Sequence, residues 1–201
     1  ERWEAAAGTA VDACARLGRV DEELLVDLTA KAASPEAART FARALARASK
    51  GDAPSSSAVL AHAATVFPED DDPEEAIAAA ERALELAPGA LDVRRGLVIL
   101  LRRAPQPSLV DHLLVLAERE PRNIDPLREA AEVALALTSD RAREALERLF
   151  ARSSALWRAG HEATGQHDAP SCARWALEKL ASVVDDRAVV AEFLLRGGAL
   201  P

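Results

Sequence analysis

The chain has 201 residues, of which 49% are hydrophobic and only 3% aromatic, and its formal net charge is −8. An acidic balance argues against a surface for nucleic acids or anionic membranes, because basic charge provides much of the attraction to both. No apolar run approaches the ~20 residues that cross a bilayer and no secretory signal pattern is present, so we expect a cytoplasmic protein.

About twelve short helices and no strands are predicted from the helical spacing of apolar residues and from the positions of Gly and Pro. The high content of Ala and Leu, both strong helix formers, favours the same all-α fold class. The predicted helices cover residues 2–17, 21–33, 35–49, 56–66, 73–87, 91–103, 108–119, 125–137, 140–152, 154–164, 171–183 and 186–196.

Several helix boundaries are marked by residues with a known mechanism. At Ser34-Pro35 and at Pro107-Ser108, a capping hydroxyl or a first-turn proline predicts the start of a helix. Further prolines are interpreted as helix exits, because proline cannot continue a helix. These exits are Pro54, Pro88 and Pro121.

The exit prolines are evenly spaced along the chain. Pro88 follows Pro54 by 34 residues, and Pro121 follows Pro88 by 33. Between them, the stretch DPEEAIAAAERALELAPGA, from Asp72 to Ala90, resembles the second helix and exit turn of a tetratricopeptide repeat, a family with two helices in each 34-residue repeat. The positions where the family places small or aromatic residues are occupied there by Ala76, Ala80 and Ala83.

The resemblance covers residues 23–185 with decreasing strength on both sides of its best unit. That unit runs from Ser57 to Ala90, and weaker units cover residues 23–56 and 91–123. From Ile124 onwards the register of the repeat slips.

The resemblance implies a right-handed α-solenoid in which antiparallel helical hairpins stack with a continuous core and a concave inner surface. Residues 1–201 would then form a single repeat domain, which we expect to be a fragment of a longer protein. The structural alternatives are a helical bundle without a superhelix and an armadillo-like stack.

One segment carries residue types that could bind a metal ion. Residues 161–168 carry two pairs of a histidine and a carboxylate, and Cys172 follows shortly after. A two-histidine zinc helix needs its histidines four residues apart, whereas the six residues between His161 and His167 rotate the second side chain by about 240°. Gly165 also indicates a loop, so a solvated inter-helix loop without metal is expected.

No catalytic motif is visible in the sequence. A phosphate-binding GxxxxGK loop and a GxSxG nucleophile turn are both missing. The acidic run over residues 69–72 lacks the spaced ligands and central glycine of a calcium loop. We therefore expect a protein that is not an enzyme and that needs no cofactor.

Binding residues are implied by the resemblance, because polar positions of the first helix of each repeat line the inner wall of such arrays. Three arginines would share this wall, and the planar guanidinium suits carboxylates, so an acidic peptide or protein partner is expected. In two successive repeats the wall positions are occupied by Asp92, Arg95, Ile99 and Arg102, and by Asp125, Arg128 and Glu132.

These observations predict a non-catalytic scaffold for protein–protein interaction, in a bacterial-type protein to judge from its Arg-rich and Lys-poor composition. One alternative is a structural module that self-associates through an apolar terminal helix. The other is a helical regulatory arm of a larger enzyme or transcription regulator. In the self-association alternative, the apolar residues expected on the terminal helix are Val189, Val190, Phe193 and Leu194.

Overall fold

A computed structural model describes residues 2–17, 22–32, 34–49, 54–67 and 73–183, together with residues 191 and 195. This described part of the chain is almost entirely helical and contains no β-strand, only an isolated bridge between Asn123 and Thr164. The predicted all-α class is therefore confirmed. The chain divides into two compact units, which we call unit 1 (Glu1–Ala104) and unit 2 (Pro105–Pro201).

Ten helices are formed by the described residues. Unit 1 contains α1 (Arg2–Leu17), α2 (Glu22–Lys31), α3 (Pro35–Ala48), α4 (Pro54–Val66), α5 (Glu74–Leu86) and α6 (Leu91–Arg103). Unit 2 contains α7 (Ser108–Arg119), α8 (Asp125–Ala136), α9 (Ala142–Arg158) and α10 (Ala169–Val183). None of the helices in the described ranges is both long and apolar enough to cross a membrane.

In unit 1, α1 packs on α3, and from α3 to α6 each helix packs on the next one along the chain. Phe41 of α3 is fully buried in the core of this unit, beside Cys14 of α1 and Leu45. The ring of Trp3 lies 5.7 Å from the Phe41 ring in a tilted arrangement, which is a favourable geometry for two aromatic side chains. Alanines surround these larger groups and allow the helices to approach closely.

The start of α3 is fixed by the cap predicted from the sequence. The Ser34 hydroxyl accepts a hydrogen bond from the Ala37 backbone N–H at 3.2 Å, and Pro35 occupies the first turn. Pro54 differs from the prediction, because it begins α4 instead of marking the exit of the preceding helix. A proline fits this first position because its fixed φ is helical and its missing N–H would have had no partner within the helix.

In unit 2, α7 packs on α8, α8 on α9 and α9 on α10. The core between these four helices contains large aliphatic side chains that are fully buried. Helices α7, α9 and α10 contribute such side chains, and so does Ile124, the residue before α8. They include Leu109, Leu113, Ile124, Leu146, Leu149 and Leu180.

The structure has one helix, α9, where the sequence predicted two over residues 140–152 and 154–164. At the predicted boundary between them, Ser153 and Ser154 are 0% and 3% exposed within the helix, where their small side chains fit the packed face. The helix ends at Arg158, and Gly160 follows two residues later with a φ of 65° that lets the His161 N–H reach the Leu156 carbonyl at 3.0 Å. The predicted helix over residues 186–196 lies outside the described residues, except for 191 and 195.

Exposed ion pairs join α7 to α9 and to Arg141, the residue before α9. The Arg141 guanidinium lies 2.6 Å from Asp111, and that of Arg148 lies 2.9 Å from Glu118. Both arginines also contact Glu144, so the charges form one network. Since all five groups are solvent-accessible, these ion pairs are expected to contribute little to the stability of the fold.

Candidate functional site

Unit 1 contains an open groove lined mainly by α2, α4 and α6, with a volume of about 890 Å³. This volume is in the upper part of the range of roughly 300–1,000 Å³ that is typical of binding pockets. The lining is predominantly apolar. It includes Leu25 and Val26 of α2, Ala61 and His62 of α4, and Val93 and Leu100 of α6.

Two large apolar side chains of the groove are exposed. Val26 is 60% exposed and Ile99 is 59% exposed, and they lie on different helices that line the same groove. Partly buried Phe67 adds an aromatic surface. Exposed apolar residues that share one concave surface indicate an interaction site more strongly than scattered ones do.

Small residues also line the groove. Because these side chains extend little beyond their backbones, a bound molecule can approach the helices closely. This set consists of Ala58, Ala61, Ala64, Ala80 and Gly96.

His62 is the titratable ring of the groove, and it bridges α4 to α2. Its Nε2 atom lies 2.9 Å from the Thr29 hydroxyl, which itself donates to the Leu25 carbonyl at 2.8 Å. Since that bond uses the hydroxyl hydrogen, the Nε2–H of His62 is the donor to Thr29. Burial lowers the pKa of His62 below its usual value, so the ring is neutral at neutral pH. The His62 side chain therefore holds α4 against α2 in the wall of the groove.

Two of the four wall positions predicted on α6 line the groove, namely Asp92 and Ile99. Arg95 is not among the lining residues; its Nη1 lies 2.8 Å from the Asp92 carboxylate, one turn earlier on the same helix. Arg102 is also outside the lining and is exposed in the last turn of α6. The end of α6 contributes Arg103 to the groove, which the sequence prediction missed.

The wall positions predicted on α8 belong to unit 2 and contact its own side chains. The guanidinium carbon of Arg128 lies 3.4 Å from the centre of the Trp175 ring, a cation–π contact between α8 and α10. Its Nε also lies 2.6 Å from the Glu132 carboxylate, and the Arg128 side chain is only 17% exposed. Arg128 therefore stabilises the packing of α8 against α10, and its role in binding a partner stays a prediction.

Asp125 holds the loop between α9 and α10. Its carboxylate accepts hydrogen bonds from the backbone N–H groups of Gln166 at 2.7 Å and His167 at 3.2 Å, and from His167 Nδ1 at 2.8 Å. Partial burial opposes ionisation, but these bonds outweigh it and keep the pKa of Asp125 below its usual value. The Thr164 N–H donates to the Arg122 carbonyl at 2.8 Å, which adds a second anchor.

Gly165 is required by this arrangement. Its φ of 124° is rarely adopted by other residues, and an added Cβ would overlap the carboxylate of Asp125 and the amide of Asn123. We expect Gly165→Ala to lower the free energy of unfolding by about 2 kcal/mol, measured by chemical denaturation. Gly89→Ala is the matched control, because that loop glycine has free space around its Cβ and should lose little or nothing. Equal effects at both positions would contradict this assignment.

The candidate metal ligands do not converge. Within the described ranges, no group of three His, Cys, Asp or Glu side chains could hold a metal ion. His161 is exposed, whereas His167 contacts Asp125, so the loop is anchored by this histidine instead of being wholly solvated. Burial raises the pKa of the Cys172 thiol despite the nearby Arg128, which disfavours the reactive thiolate.

No protein-family model matches the chain, and none of the curated proteins is significantly similar to it. The terminal residues expected to mediate self-association, Val189, Val190, Phe193 and Leu194, lie outside the described residues, as does the acidic run at residues 69–72.

Proposed function

We propose that this chain is a non-catalytic protein-binding module and that the groove of unit 1 is its binding surface. The observation that carries the proposal is the exposure of Val26 and Ile99 on two different helices that line one apolar groove. Exposing these side chains to water is unfavourable, and a partner that covers them recovers the hydrophobic free energy.

We further propose that the helices are tetratricopeptide-like hairpins. Spacing along the chain supports this. Helix α7 begins 34 residues after α5, at Ser108 and Glu74, and α8 begins 34 residues after α6, at Asp125 and Leu91. Under this proposal α2, α4 and α6 are the first helices of successive repeats, and these are the helices that line the groove.

Protein binding explains the groove better than catalysis does. The ring of His62 is engaged with Thr29, and its lowered pKa disfavours proton uptake near neutral pH. Cys14 and Cys172 are buried free thiols, which suits a reducing compartment such as the cytoplasm. The acidity of the partner stays a prediction, because Asp92 and Arg103 give the groove charges of both signs.

Site-specific photo-crosslinking in the native lysate tests the proposal. A photoreactive residue at Ile99 should form a covalent adduct with a distinct protein. The same residue at Ala78, which is exposed on α5 but does not line the groove, should form none. Identical adduct patterns at the two positions, or no adduct at Ile99, would contradict the proposal.

A further inference from the structure

Gly96 occupies the middle of α6, where glycine is unfavourable. A glycine in a helix interior destabilises the helix relative to alanine, because it loses more conformational freedom on folding. Internal packing does not require this glycine, since a Cβ added to it would meet no atom within 4 Å. Gly96 lines the groove, so the space that the missing side chain leaves is accessible to an occupant.

Hydrogen bonding decides which secondary structure a peptide segment can adopt when it binds in the groove. The groove is lined by helices, whose interior backbone groups are already bonded within each helix. An extended peptide buried there would leave many of its N–H and C=O groups unsatisfied, which is costly. A helix satisfies these groups internally and offers an apolar face, and its axis could approach α6 closely over Gly96.

Charge at the two ends of the groove gives the occupant a direction. Asp92 lies in the first turn of α6 and Arg103 in the last turn, which corresponds to about 16 Å along the helix at roughly 1.5 Å per residue. Stable helices favour acidic residues at their N-terminus and basic residues at their C-terminus. Such a helix places its acidic end near Arg103 and its basic end near Asp92 when it runs antiparallel to α6.

We infer that the groove of unit 1 binds an amphipathic α-helix of about three turns from a partner protein, antiparallel to α6 and in close contact with Gly96. This inference rests on the proposed function and specifies its ligand. It does not require any change in the backbone of unit 1.

Two displayed peptide libraries of equal length test the inference with the full chain as target. One library randomises a single face of a stable helical scaffold, and the other carries prolines that keep its peptides extended. Binders are then measured against the wild-type chain, Gly96→Ala and Gly96→Leu. Gly8→Ala is the matched control, because Gly8 also lies within a helix with no atom within 4 Å of its Cβ but does not line the groove.

We expect binders to come from the helical library. Their affinity should fall about threefold in Gly96→Ala and at least about tenfold in Gly96→Leu, because the added side chains occupy the contact surface. Both alanine variants should melt about 2–4 °C higher than wild type, which shows that the fold is intact. Gly8→Ala should bind as well as wild type. Among the binders, basic residues should be enriched at the C-terminal end of the peptide.

Other results would overturn the inference. They are enrichment of the extended library alone, enrichment of neither library, or helical binders that bind both Gly96 variants as tightly as they bind the wild-type chain. Dimerisation of the wild-type chain that is lost in Gly96→Leu would identify a second copy as the occupant instead. If the Ile99 crosslink persists while the helical library fails, the proposed function stands and only the helical ligand is wrong. If both fail, the groove is not a protein-binding site.

Discussion

Replacing Phe41 by alanine should lower the free energy of unfolding by about 3–5 kcal/mol, the largest loss that we expect from one substitution in this chain. Phe41 is fully buried and packs against Trp3, so truncation removes apolar contacts, loses the aromatic pair and leaves a cavity between α1 and α3. Urea denaturation followed by far-ultraviolet circular dichroism measures the loss as a lower midpoint.

Phe67→Ala is the control for this prediction. The same atoms are removed, but Phe67 is only half-buried, at the edge of the groove, so the neighbouring side chains are less constrained. We expect a loss of about 1–2 kcal/mol there, close to the transfer free energy of the buried part of the ring. Equal losses at the two positions, or a loss below about 1 kcal/mol for Phe41→Ala, would show that the core is not packed as described.

Helix positions were the part of the fold most accessible from sequence, because their signals are local. The helices α1, α6 and α7 begin and end at the predicted residues. The Ser34 cap and the nearby prolines act through backbone bonds within one turn, so no knowledge of distant residues is needed to interpret them.

The errors arose where a local signal had two meanings. The sequence predicts a helix exit at Pro54, but proline is equally suitable for a first turn, and Pro54 begins α4. The predicted boundary between residues 152 and 154 falls at Ser153, yet Ser153 and Ser154 are both buried on a tightly packed face of α9. For the two serines, tertiary packing decides between the meanings, and packing depends on residues far away in sequence.

The same limit applies to the candidate site. Repeat positions located Asp92 and Ile99 on the groove, because the face of a helix follows from periodicity. They could not reveal that Arg128 stacks on Trp175 or that Asp125 holds the α9–α10 loop, since these partners lie 47 and 41 residues further along the chain. Gly96 gave a usable signal that was missed, namely a glycine within a strong helical pattern.

The second large effect should come from introducing charge into the groove. We expect the double substitution Val26→Asp with Ile99→Asp to weaken binding of the helical peptides, or of the crosslinked partner, by about a hundredfold, equivalent to about 2.7 kcal/mol. Each change removes an exposed apolar contact and would bury a carboxylate against an apolar surface. Isothermal titration calorimetry at equal salt concentration measures the loss.

The fold should survive these substitutions, because side chains that are about 60% exposed in the free protein contribute little to its core. Leu17→Asp is the matched control: Leu17 is 53% exposed on α1 but does not line the groove, so this variant should bind like wild type. A melting curve for each variant separates lost binding from lost structure. Full affinity in the folded double variant would exclude the groove as the binding surface. An equal loss in Leu17→Asp would mean that the acidic charge of the whole chain, and not the contacts of Val26 and Ile99, governs association.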